Sequence, residues 1–538
     1  MPQDIENYKK NKPNIIFLII DALRQDRIGA TGYRPDATPN LNKLYLEGFR
    51  ATKYFTPGCV TENSFPSIFT SSLPLDFGGY KDGIHNRPVS FPEILKSENY
   101  QTWGAVTGHP CCSHFGYDRG FEKFENLICL YQWFRRMFFV ELREFLDKFK
   151  NNKLQKSELI EQIKIRYTKY LDSTLNYLNE MENLNLPANG WNRKKLRLQV
   201  EQEKKLLTEK PEIVCNKILK YDQDFRSVIG LETINEQTQT KIKIKNKIKN
   251  FLNKKITLFS ERKAFPANFV NKRFKKFILN RESSKPFFAY MHYFDIHEAK
   301  MLLSNFSFSN FWNILTSLIT CLKKRNLKSG GLFYDIAASI VDKEIGKLLH
   351  LLEKNNLKDN TMIVITGDHG FLAGKPDRNQ KKGATDLSKM FFEENISVPL
   401  IFYGKNIKPG ETAEMCSHID LAPTLFDIIG VKSSTLFQGK SIYTNSGKKN
   451  NFVIAENTGN GICDVKNKNI FICVRGTELK TVYEIKNFKI SEREVYDLHN
   501  DRWELKNLSK TNLFKDLRNE HFQIVNNRLH KIKLDNNL

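Results

Sequence analysis

Short apolar runs alternate with longer amphipathic segments over the first part of the chain. The run "NIIFLII" at 14–20 is apolar at almost every position, which is typical of a parallel strand buried on both faces. The segment "TPNLNKLYLEG" that follows has the spacing of an amphipathic helix, and "QTWGAV" at 101–106 predicts the next strand. This alternation, over residues 14 to about 125, predicts an α/β fold with a doubly wound, mostly parallel sheet.

The pattern changes after about residue 126. From there to 280 the chain has helical periodicity, many Lys, Glu, Asn and Gln residues and few Gly, which predicts a helical insertion. Strands return with "PFFAYMHYF" and "TMIVITGDHG", separated by the helix "YDIAASIVDKEIGKLLHLLEKN". After 450, the short strands "FICVRG", "TVYEIKN" and "EVYDLHN" precede a charged terminal helix. We therefore predict a main domain over 1–450, with the insertion at 126–280 inside it, and a small α+β subdomain over 451–538.

The charge of the chain is strongly basic, with 84 Lys and Arg against 60 Asp and Glu and a formal net charge of +24. Such a balance suits a nucleic-acid or membrane-surface partner. Lys, Asn and Ile are nevertheless abundant together, as in "KIKIKNKIKNFLNKK", which indicates compositional bias, and no nucleic-acid-binding motif accompanies the charge. Nucleic acid is therefore not the expected partner. A non-catalytic protein that binds an acidic partner through this insertion remains an alternative.

No apolar run predicts a membrane span. The run "IIFLII" covers only six residues before Asp21, too few for a span or a signal peptide. Two aromatic-rich stretches, "LICLYQWFRRMFFVEL" and "FSNFWNILTSLITCL", leave peripheral membrane contact open, although core or lid helices are the favoured interpretation. The nine cysteines are irregularly spaced and include no C-x-x-C, which predicts reduced thiols in a cytoplasmic protein.

Polar side chains collect where the predicted strands end. Asp21 ends the first strand, Asp295 and His297 follow "FFAYMHYF", and Asp368 and His369 follow "MIVITG". The carboxyl ends of parallel strands meet at one edge of a sheet, where ligands bind. Carboxylates and imidazoles are metal ligands, so the sequence predicts a metal site at this edge.

The stretch "TPGCVTENSFPS" contains two candidate nucleophiles, Cys59 and Thr61. Threonine is a weak nucleophile at its ordinary pKa and needs a metal ion or a base to activate it. Thr61 could instead cap the following helix. The two roles are compatible, because a helix N-terminus also stabilises a bound anion.

Eleven segments, in order along the chain, carry a resemblance to a known family. The chain resembles the sulfatase family of the alkaline phosphatase superfamily in "PNIIFLIIDALRQDRIGATGY", "TPNLNKLYLEGFRATKYF", "SFPSIFTSSLP", "NYQTWGAVTGHP", "DRGFEKFE", "PFFAYMHYFDIH", "YDIAASIVDKEIG", "NTMIVITGDHG", "EENISVPLIFYG", "HIDLAPTLFDIIGV" and "EVYDLHNDRWELKNL". The resemblance implies an alkaline phosphatase-like fold and a hydrolase that cleaves sulfate or phosphate esters through a metal-activated covalent nucleophile. A transferase of phosphoglycerol or phosphoethanolamine groups is the alternative within the superfamily.

The resemblance also implies which residue is the nucleophile. Sulfatases typically convert a Cys or Ser in a C/S-x-P-S-R motif to formylglycine. Counting back nine residues from Thr70, which matches the Thr of that motif, gives Thr61. Cys59 is followed by neither the Pro nor the Arg that conversion requires. The expected nucleophile is therefore Thr61, unmodified.

The family pattern implies Asp21, Thr61, Asp368 and His369 as metal ligands, although Ala22 stands where the family usually has a second Asp. An imidazole beside two carboxylates favours manganese or zinc, with calcium or magnesium as alternatives. Relatives with two zinc ions carry a further His that is absent from "FLAGKPDRNQKK". We therefore expect one divalent metal ion.

The remaining site residues are also implied by the resemblance. His297 matches the histidine of the family's second strand, although the usual following Pro is replaced in "HEAK", and His109 matches the histidine of a Gly-Lys-Trp-His segment. Both are expected to be catalytic. Lys382 or Lys389 is expected to supply the substrate-binding cation. The expected substrate is an ester of a small molecule, glycan or lipid.

Overall fold

The structure, a computed structural model, describes most of the chain. The described residues are 12–31, 37–187, 191–220, 265–297, 315–319, 331–372, 391–432, 434–444, 450–459, 463–466 and 469–537.

An eight-stranded sheet forms the centre of the main domain, in the order β5-β4-β6-β1-β7-β8-β2-β9. The strands from β5 to β7 in that order are mutually parallel, and β8 runs antiparallel to both of its neighbours. This confirms the mostly parallel sheet. The strand bounds are β1 (Asn14–Ile20), β2 (Phe49–Ala51), β3 (Tyr54–Phe55), β4 (Gln101–Val106), β5 (Lys123–Asn126), β6 (Phe287–Tyr293), β7 (Thr361–Thr366), β8 (Leu400–Tyr403), β9 (Gly410–Thr412) and β10 (Cys416–Ser417), with β3 and β10 paired separately.

Helices surround this sheet and continue into the insertion. Their bounds are α1 (Pro39–Glu47), α2 (Thr61–Thr70), α3 (Phe91–Ser97), α4 (Leu130–Glu141), α5 (Arg143–Lys150), α6 (Lys156–Asn183), α7 (Arg193–Glu209), α8 (Pro211–Lys220), α9 (Ala267–Asn280), α10 (Leu332–Lys354), α11 (Glu393–Ile396) and α12 (Leu421–Ile429). Short 3₁₀ turns lie at Gln25–Arg27, Gly29–Thr31, His109–Cys111, Ser113–Phe115, Lys358–Asn360 and His418–Asp420.

Alternate side chains of β6 point to opposite faces of the sheet. Phe288 packs edge-on against Phe91 of α3, with ring centroids 5.5 Å apart. On the other face, Phe287 packs against Phe274 of α9 at 6.0 Å. Because helices cover both faces, the sheet is doubly wound, as predicted.

The described part of the predicted insertion is helical. Helices α4 to α8 occupy residues 130–220, and residues 221–264 lie outside the described part of the chain. Helix α9 packs on the central sheet, where Trp103 of β4 stacks on Phe277 with ring centroids 5.5 Å apart. The last helix of the predicted segment therefore belongs to the layer that covers the sheet.

A second, antiparallel sheet forms the C-terminal unit. It contains β11 (Phe452–Asn457), β12 (Ile470–Gly476), β13 (Leu479–Lys486) and β14 (Lys489–Asp497), in that order, followed by the helix α13 (Lys515–Asp535). This agrees with the predicted small α+β unit.

Two features bear on the predicted cellular location and membrane contact of the protein. Among the described residues, no helix is both long enough and apolar enough to cross a membrane. Eight of the nine cysteines lie in the described part of the chain, and all eight are buried. The cytoplasmic location and the peripheral membrane contact stay predictions.

A buried ion cluster attaches α13 to the main domain. The Arg528 guanidinium donates to Asp76 Oδ1 at 2.6 Å and to both oxygens of Glu456, at 2.6 and 2.8 Å. All three side chains are buried. Burial raises the pKa of Asp76, but Arg528 and Lys531 outweigh it and hold that pKa below its usual value. Removing the guanidinium would leave two carboxylates buried without their counter-ion.

We expect Arg528→Ala to lower the free energy of unfolding by about 3–5 kcal/mol, the usual cost of breaking a buried ion pair. Lys531→Ala is the matched control, because Lys531 reaches Asp76 only at 3.9 Å from an exposed position. That variant should lose less than about 1 kcal/mol. Urea denaturation at pH 7 measures both, and equal losses for the two variants would contradict the role given to Arg528.

Candidate metal centre and active site

Three neighbouring strands bring the central side chains together. In the register of the sheet, Ile19 of β1 lies beside His292 of β6 on one side and Thr366 of β7 on the other. Asp21 and Asp368 each follow two residues later. Both carboxylates therefore emerge at the same edge of the sheet, as the sequence predicts for parallel strands.

The ligand atoms of Asp21, His292 and Asp368 all lie within 4.8 Å of one another, and all three residues are buried. Asp21 Oδ1, His292 Nε2 and Asp368 Oδ2 have no hydrogen-bond partner among the described residues. Unpaired polar atoms are costly in the interior of a protein. Two carboxylate oxygens and an imidazole nitrogen that converge in this way fit a divalent cation.

The Asp368 carboxylate is oriented by the backbone. Its Oδ1 accepts hydrogen bonds from Ala22 N at 3.0 Å and from His369 N at 2.8 Å, which leaves Oδ2 directed into the site. His418 Nε2 donates to the Asp368 carbonyl oxygen at 2.8 Å, and His418 Nδ1 accepts from Tyr54 at 2.9 Å. His418 thus holds the loop that carries Asp368.

His369 presents its Nε2 atom to the site. Its Nδ1 donates to the Gly370 carbonyl oxygen at 2.6 Å, so Nε2 carries the lone pair. That atom lies 3.3 Å from Thr61 Oγ1 and 3.7 Å from Asp21 Oδ1. Gly370 is required here, because a Cβ atom at this position would lie 1.9 Å from the Glu394 carbonyl oxygen.

Thr107 fixes the tautomer of His292. The Thr107 hydroxyl donates to the His292 carbonyl oxygen at 3.0 Å and contacts His292 Nδ1 at 3.1 Å. Since the single hydroxyl proton is used by the carbonyl, Nδ1 must be the donor in the second contact. His292 Nε2 therefore carries a lone pair, 3.5 Å from Asp21 Oδ2. A partner on the far nitrogen is typical of a metal-binding histidine.

The two carboxylates differ in their electrostatic environment. Burial raises the pKa of Asp21, but in the absence of a metal ion the imidazoles of His297, His292 and His369, when protonated, outweigh it and lower that pKa to about 2. Burial, together with the negative charge of Asp21, raises the pKa of Asp368. A cation between the two carboxylates would remove the repulsion between them.

Thr61 is the first residue of α2 and is buried. Its Oγ1 lies 3.4 Å from Asp21 Oδ2, in addition to its contact with His369. Cys59 is also buried, but its Sγ accepts a hydrogen bond from Asn457 Nδ2 at 3.4 Å, on the side of the C-terminal sheet. The two candidate nucleophiles therefore have different neighbours, and Thr61 is the one that contacts the predicted ligands.

Arg24 ties together the loops that follow β1 and β7. It donates from Nε and Nη2 to the carboxylate of Asp26, at 2.8 and 2.6 Å, and from Nη1 to the Phe371 carbonyl oxygen at 3.1 Å. The buried Arg24 thus links Asp26 to the loop that follows Asp368 and His369.

The other predicted residues occupy three different settings. The half-buried His297 ring lies 6.3 Å from the His369 ring, so it is part of the site. The buried His109 ring packs against Phe115 and Trp133, and no hydrogen bond within the described residues joins it to Thr61. Lys382 and Lys389 lie outside the described residues.

Asp295 and His292 have roles that differ from those expected from the sequence. Asp295 Oδ2 accepts from Ala267 N at 2.9 Å, so this carboxylate caps the start of α9 and takes no part in the metal cluster. Its burial raises its pKa to about 7. His292 is missed because it lies inside an apolar strand, where a histidine is usually part of the core. The available signal was a polar residue near the carboxyl end of that strand.

Comparisons with known proteins match most of the chain to one family. The family described as Sulfatase matches residues 13–160 and 212–431, and the family described as the C-terminal part of N-sulphoglucosamine sulphohydrolase matches residues 386–533. The first match covers more than half of the chain and includes every strand of the central sheet.

Two curated relatives are also sulfatases, and a solved structure shares the fold. An arylsulfatase from Clostridium perfringens is 21% identical over 94% of this chain and 92% of its own length. An N-acetylglucosamine-6-O-sulfatase from Bacteroides thetaiotaomicron is 40% identical, but over only 20% of this chain and 19% of its own length. A solved structure, a phosphonate monoester hydrolase of Agrobacterium radiobacter, has a TM-score of 0.54 at 13% identity and covers 97% of this chain and 96% of its own, which shows a shared fold.

We expect Thr107→Val to weaken divalent metal binding about 10- to 100-fold, because His292 would lose the partner that fixes its tautomer. Thr107→Ser keeps the hydroxyl and should bind nearly as tightly as the parent protein. Equilibrium dialysis against Mn²⁺ and Zn²⁺, followed by elemental analysis, gives the dissociation constants. Unchanged affinity in Thr107→Val would show that this hydroxyl does not support a ligand.

Proposed function

We propose a specific chemistry on the premise that this chain belongs to the sulfatase family of enzymes, which hydrolyse sulfuric esters. In this proposal the protein is a metal-dependent hydrolase of sulfate esters, and unmodified Thr61 is its nucleophile. The observation that carries the proposal is the position of Thr61 Oγ1, 3.4 Å from Asp21 Oδ2 and 3.3 Å from His369 Nε2.

Asp21, Asp368 and His369 would hold one divalent metal ion together with Thr61, and His292 would be a further ligand. Manganese or zinc suits two carboxylates and imidazoles better than calcium or magnesium does. When bound, the ion lowers the pKa of the nucleophile and offsets the charge on the ester oxygens.

Thr61 Oγ then attacks sulfur in line with the bond to the alcohol oxygen. The new Oγ–S bond forms as the bond from sulfur to the alcohol oxygen breaks, and the Thr61 proton passes to the Asp21 carboxylate, which accepts from Thr61 Oγ1 at 3.4 Å. The partial positive charge at the N-terminus of α2 favours the anionic group at this position. In the second step water attacks the same sulfur, the Oγ–S bond breaks, and sulfate and the free hydroxyl are formed.

His297 and His109 have different parts in this scheme. Burial lowers the pKa of His109 well below its usual value, so this imidazole is neutral and suited to donating a hydrogen bond. His297 is only half-buried and lies beside Asp21 and His369. We therefore propose that His297 is the general acid, which donates a proton to the departing alcohol oxygen. Lys382 and Lys389 stay predictions for substrate binding.

A phosphate ester is the second candidate substrate. An unmodified hydroxyl can attack the phosphorus of a phosphate ester as well as the sulfur of a sulfate ester. The same hydrogen-bond donors would bind the sulfate or the phosphate group. None of the comparisons supports the transferase or the non-catalytic binding protein.

We expect Thr61→Ala to lose at least about 1,000-fold in kcat on an aryl sulfate or aryl phosphate ester, because the covalent nucleophile is removed. Thr61→Ser should keep part of the rate, since only the methyl group that restricts the rotamer is lost. Cys59→Ala is the matched control, two residues away and equally buried, and it should stay active. Steady-state kinetics on metal-loaded proteins measure all three, and an inactive Cys59→Ala beside an active Thr61→Ala would reverse the assignment.

A further inference from the structure

The outer side of α9 is basic. The helix covers the central sheet with an apolar inner side, on which Phe274 and Ile278 are buried. Its sequence, "ANFVNKRFKKFILN", has four basic residues and no acidic one. Four residues on its outer side, at spacings of three and four positions, are exposed: Lys272, Lys275, Lys276 and Leu279. We call these four residues the α9 face.

The lysines of the α9 face are not used to hold the fold together. Arg273, the fourth basic residue of the helix, donates from Nε to Glu125 Oε2 at 2.6 Å. On α8 of the insertion, Lys217 donates to Glu203 Oε2 at 2.7 Å. By contrast, the three lysines of the α9 face form no ion pair within the part of the chain that the structure describes. Their positive charge is therefore available to a binding partner.

Helix α10 extends this basic surface. Asn271, which precedes the first lysine of the α9 face, donates from Nδ2 to the Glu344 carbonyl oxygen of α10 at 3.0 Å. Lys347 donates to Glu344 Oε1 at 2.6 Å, and its side chain remains exposed. The Glu344 side chain is itself buried. The junction of the two helices therefore presents an ammonium group to the solvent, while its carboxylate is covered.

A short segment with an exposed apolar side chain adjoins α10. Lys343 of α10 donates to Thr316 Oγ1 at 2.7 Å and to Ser317 Oγ at 2.8 Å. Residues 315–319 are the described part of "FSNFWNILTSLITCL", the stretch whose sequence leaves peripheral membrane contact open. Ile319 in this segment is 44% exposed. An apolar side chain that could enter a bilayer surface therefore lies next to the basic helices.

The chemistry of the α9 face favours an anionic lipid surface over nucleic acid. Proteins that bind nucleic acids usually add arginine contacts or aromatic stacking to their positive charge, and the α9 face has neither. Membrane-surface helices instead combine lysine ammonium groups with apolar side chains that enter the boundary between the headgroups and the acyl chains. Leu279, at the end of the α9 face, is 64% exposed. The net charge of +24 attracts the whole protein to an anionic surface.

We propose that the α9 face binds the anionic surface of a lipid membrane, so that the protein associates peripherally with bilayers. The three lysines contact lipid phosphates and carboxylates, and Leu279 enters the headgroup boundary. The inference does not depend on the proposed function, because binding to vesicles is measured without any ester substrate.

Co-sedimentation of the full chain with lipid vesicles tests the proposal. The protein should bind phosphatidylcholine vesicles that contain about 30% phosphatidylserine, and pure phosphatidylcholine at least about tenfold more weakly. A variant with Lys272→Gln, Lys275→Gln and Lys276→Gln should bind about 100-fold more weakly, because each lysine at an anionic surface strengthens binding about fivefold. The matched control carries the same substitution at three exposed lysines of the C-terminal subdomain and should bind like the parent protein: Lys506, Lys510 and Lys515.

Leu279→Gln distinguishes a lipid surface from a soluble polyanion. On the anionic vesicles this variant should bind about fivefold more weakly, because an apolar side chain no longer enters the bilayer. That loss should persist in high salt, whereas the effect of the lysines should shrink as their charge is screened.

Equal vesicle binding by the parent protein and the triple variant overturns the proposal, as does an equal loss in the C-terminal control. A parent protein that binds a DNA duplex through the same three lysines, but does not sediment with vesicles, also overturns it and assigns the α9 face to nucleic acid.

Discussion

Two buried carboxylates, Asp21 and Asp368, lie side by side at the ends of adjacent strands, and their mutual repulsion is the constraint around which the site is arranged. Each buried charge costs several kcal/mol unless it is compensated. Part of the compensation comes from imidazoles: His297, His292 and His369, when protonated, lower the pKa of Asp21 to about 2. The divalent cation proposed above would bind the carboxylate and imidazole atoms that remain unpaired among the described residues. The same convergence brings the hydroxyl of Thr61 into contact with the cluster.

The C-terminal subdomain supports the loop that leads to the nucleophile. Glu456 N donates to the Pro57 carbonyl oxygen at 2.8 Å, Asn457 contacts Cys59, and Arg475 lies over the Phe55 ring at 4.6 Å. Glu456 also belongs to the ion cluster that anchors the terminal helix. The C-terminal sheet therefore contacts the segment that leads to Thr61 directly.

Sequence patterns predicted the scaffold and the meeting of Asp21 and Asp368 at one edge of the sheet, for identifiable reasons. Apolar runs and amphipathic helices are local signals, so the strands that end before Asp21 and Asp368 could be recognised directly. Residues whose role depends on tertiary contacts could not: His292 has the pattern of a core residue, and the carboxylate of Asp295 serves a helix that lies earlier in the chain. The burial of His109 depends on α4, which no local pattern near residue 109 reveals.

The central claim is that an unmodified Thr61 forms a covalent bond to the transferred group. Peptide mapping by mass spectrometry, before and after brief incubation of the metal-loaded enzyme with a slowly hydrolysed aryl ester, tests it directly. The account predicts that residues 50–80 of the resting enzyme carry ordinary masses, and that a sulfuryl or phosphoryl adduct appears on Thr61 during turnover. An aldehyde at Cys59 in the resting enzyme, or an adduct on Cys59, would contradict it and point to the formylglycine chemistry of other sulfatases.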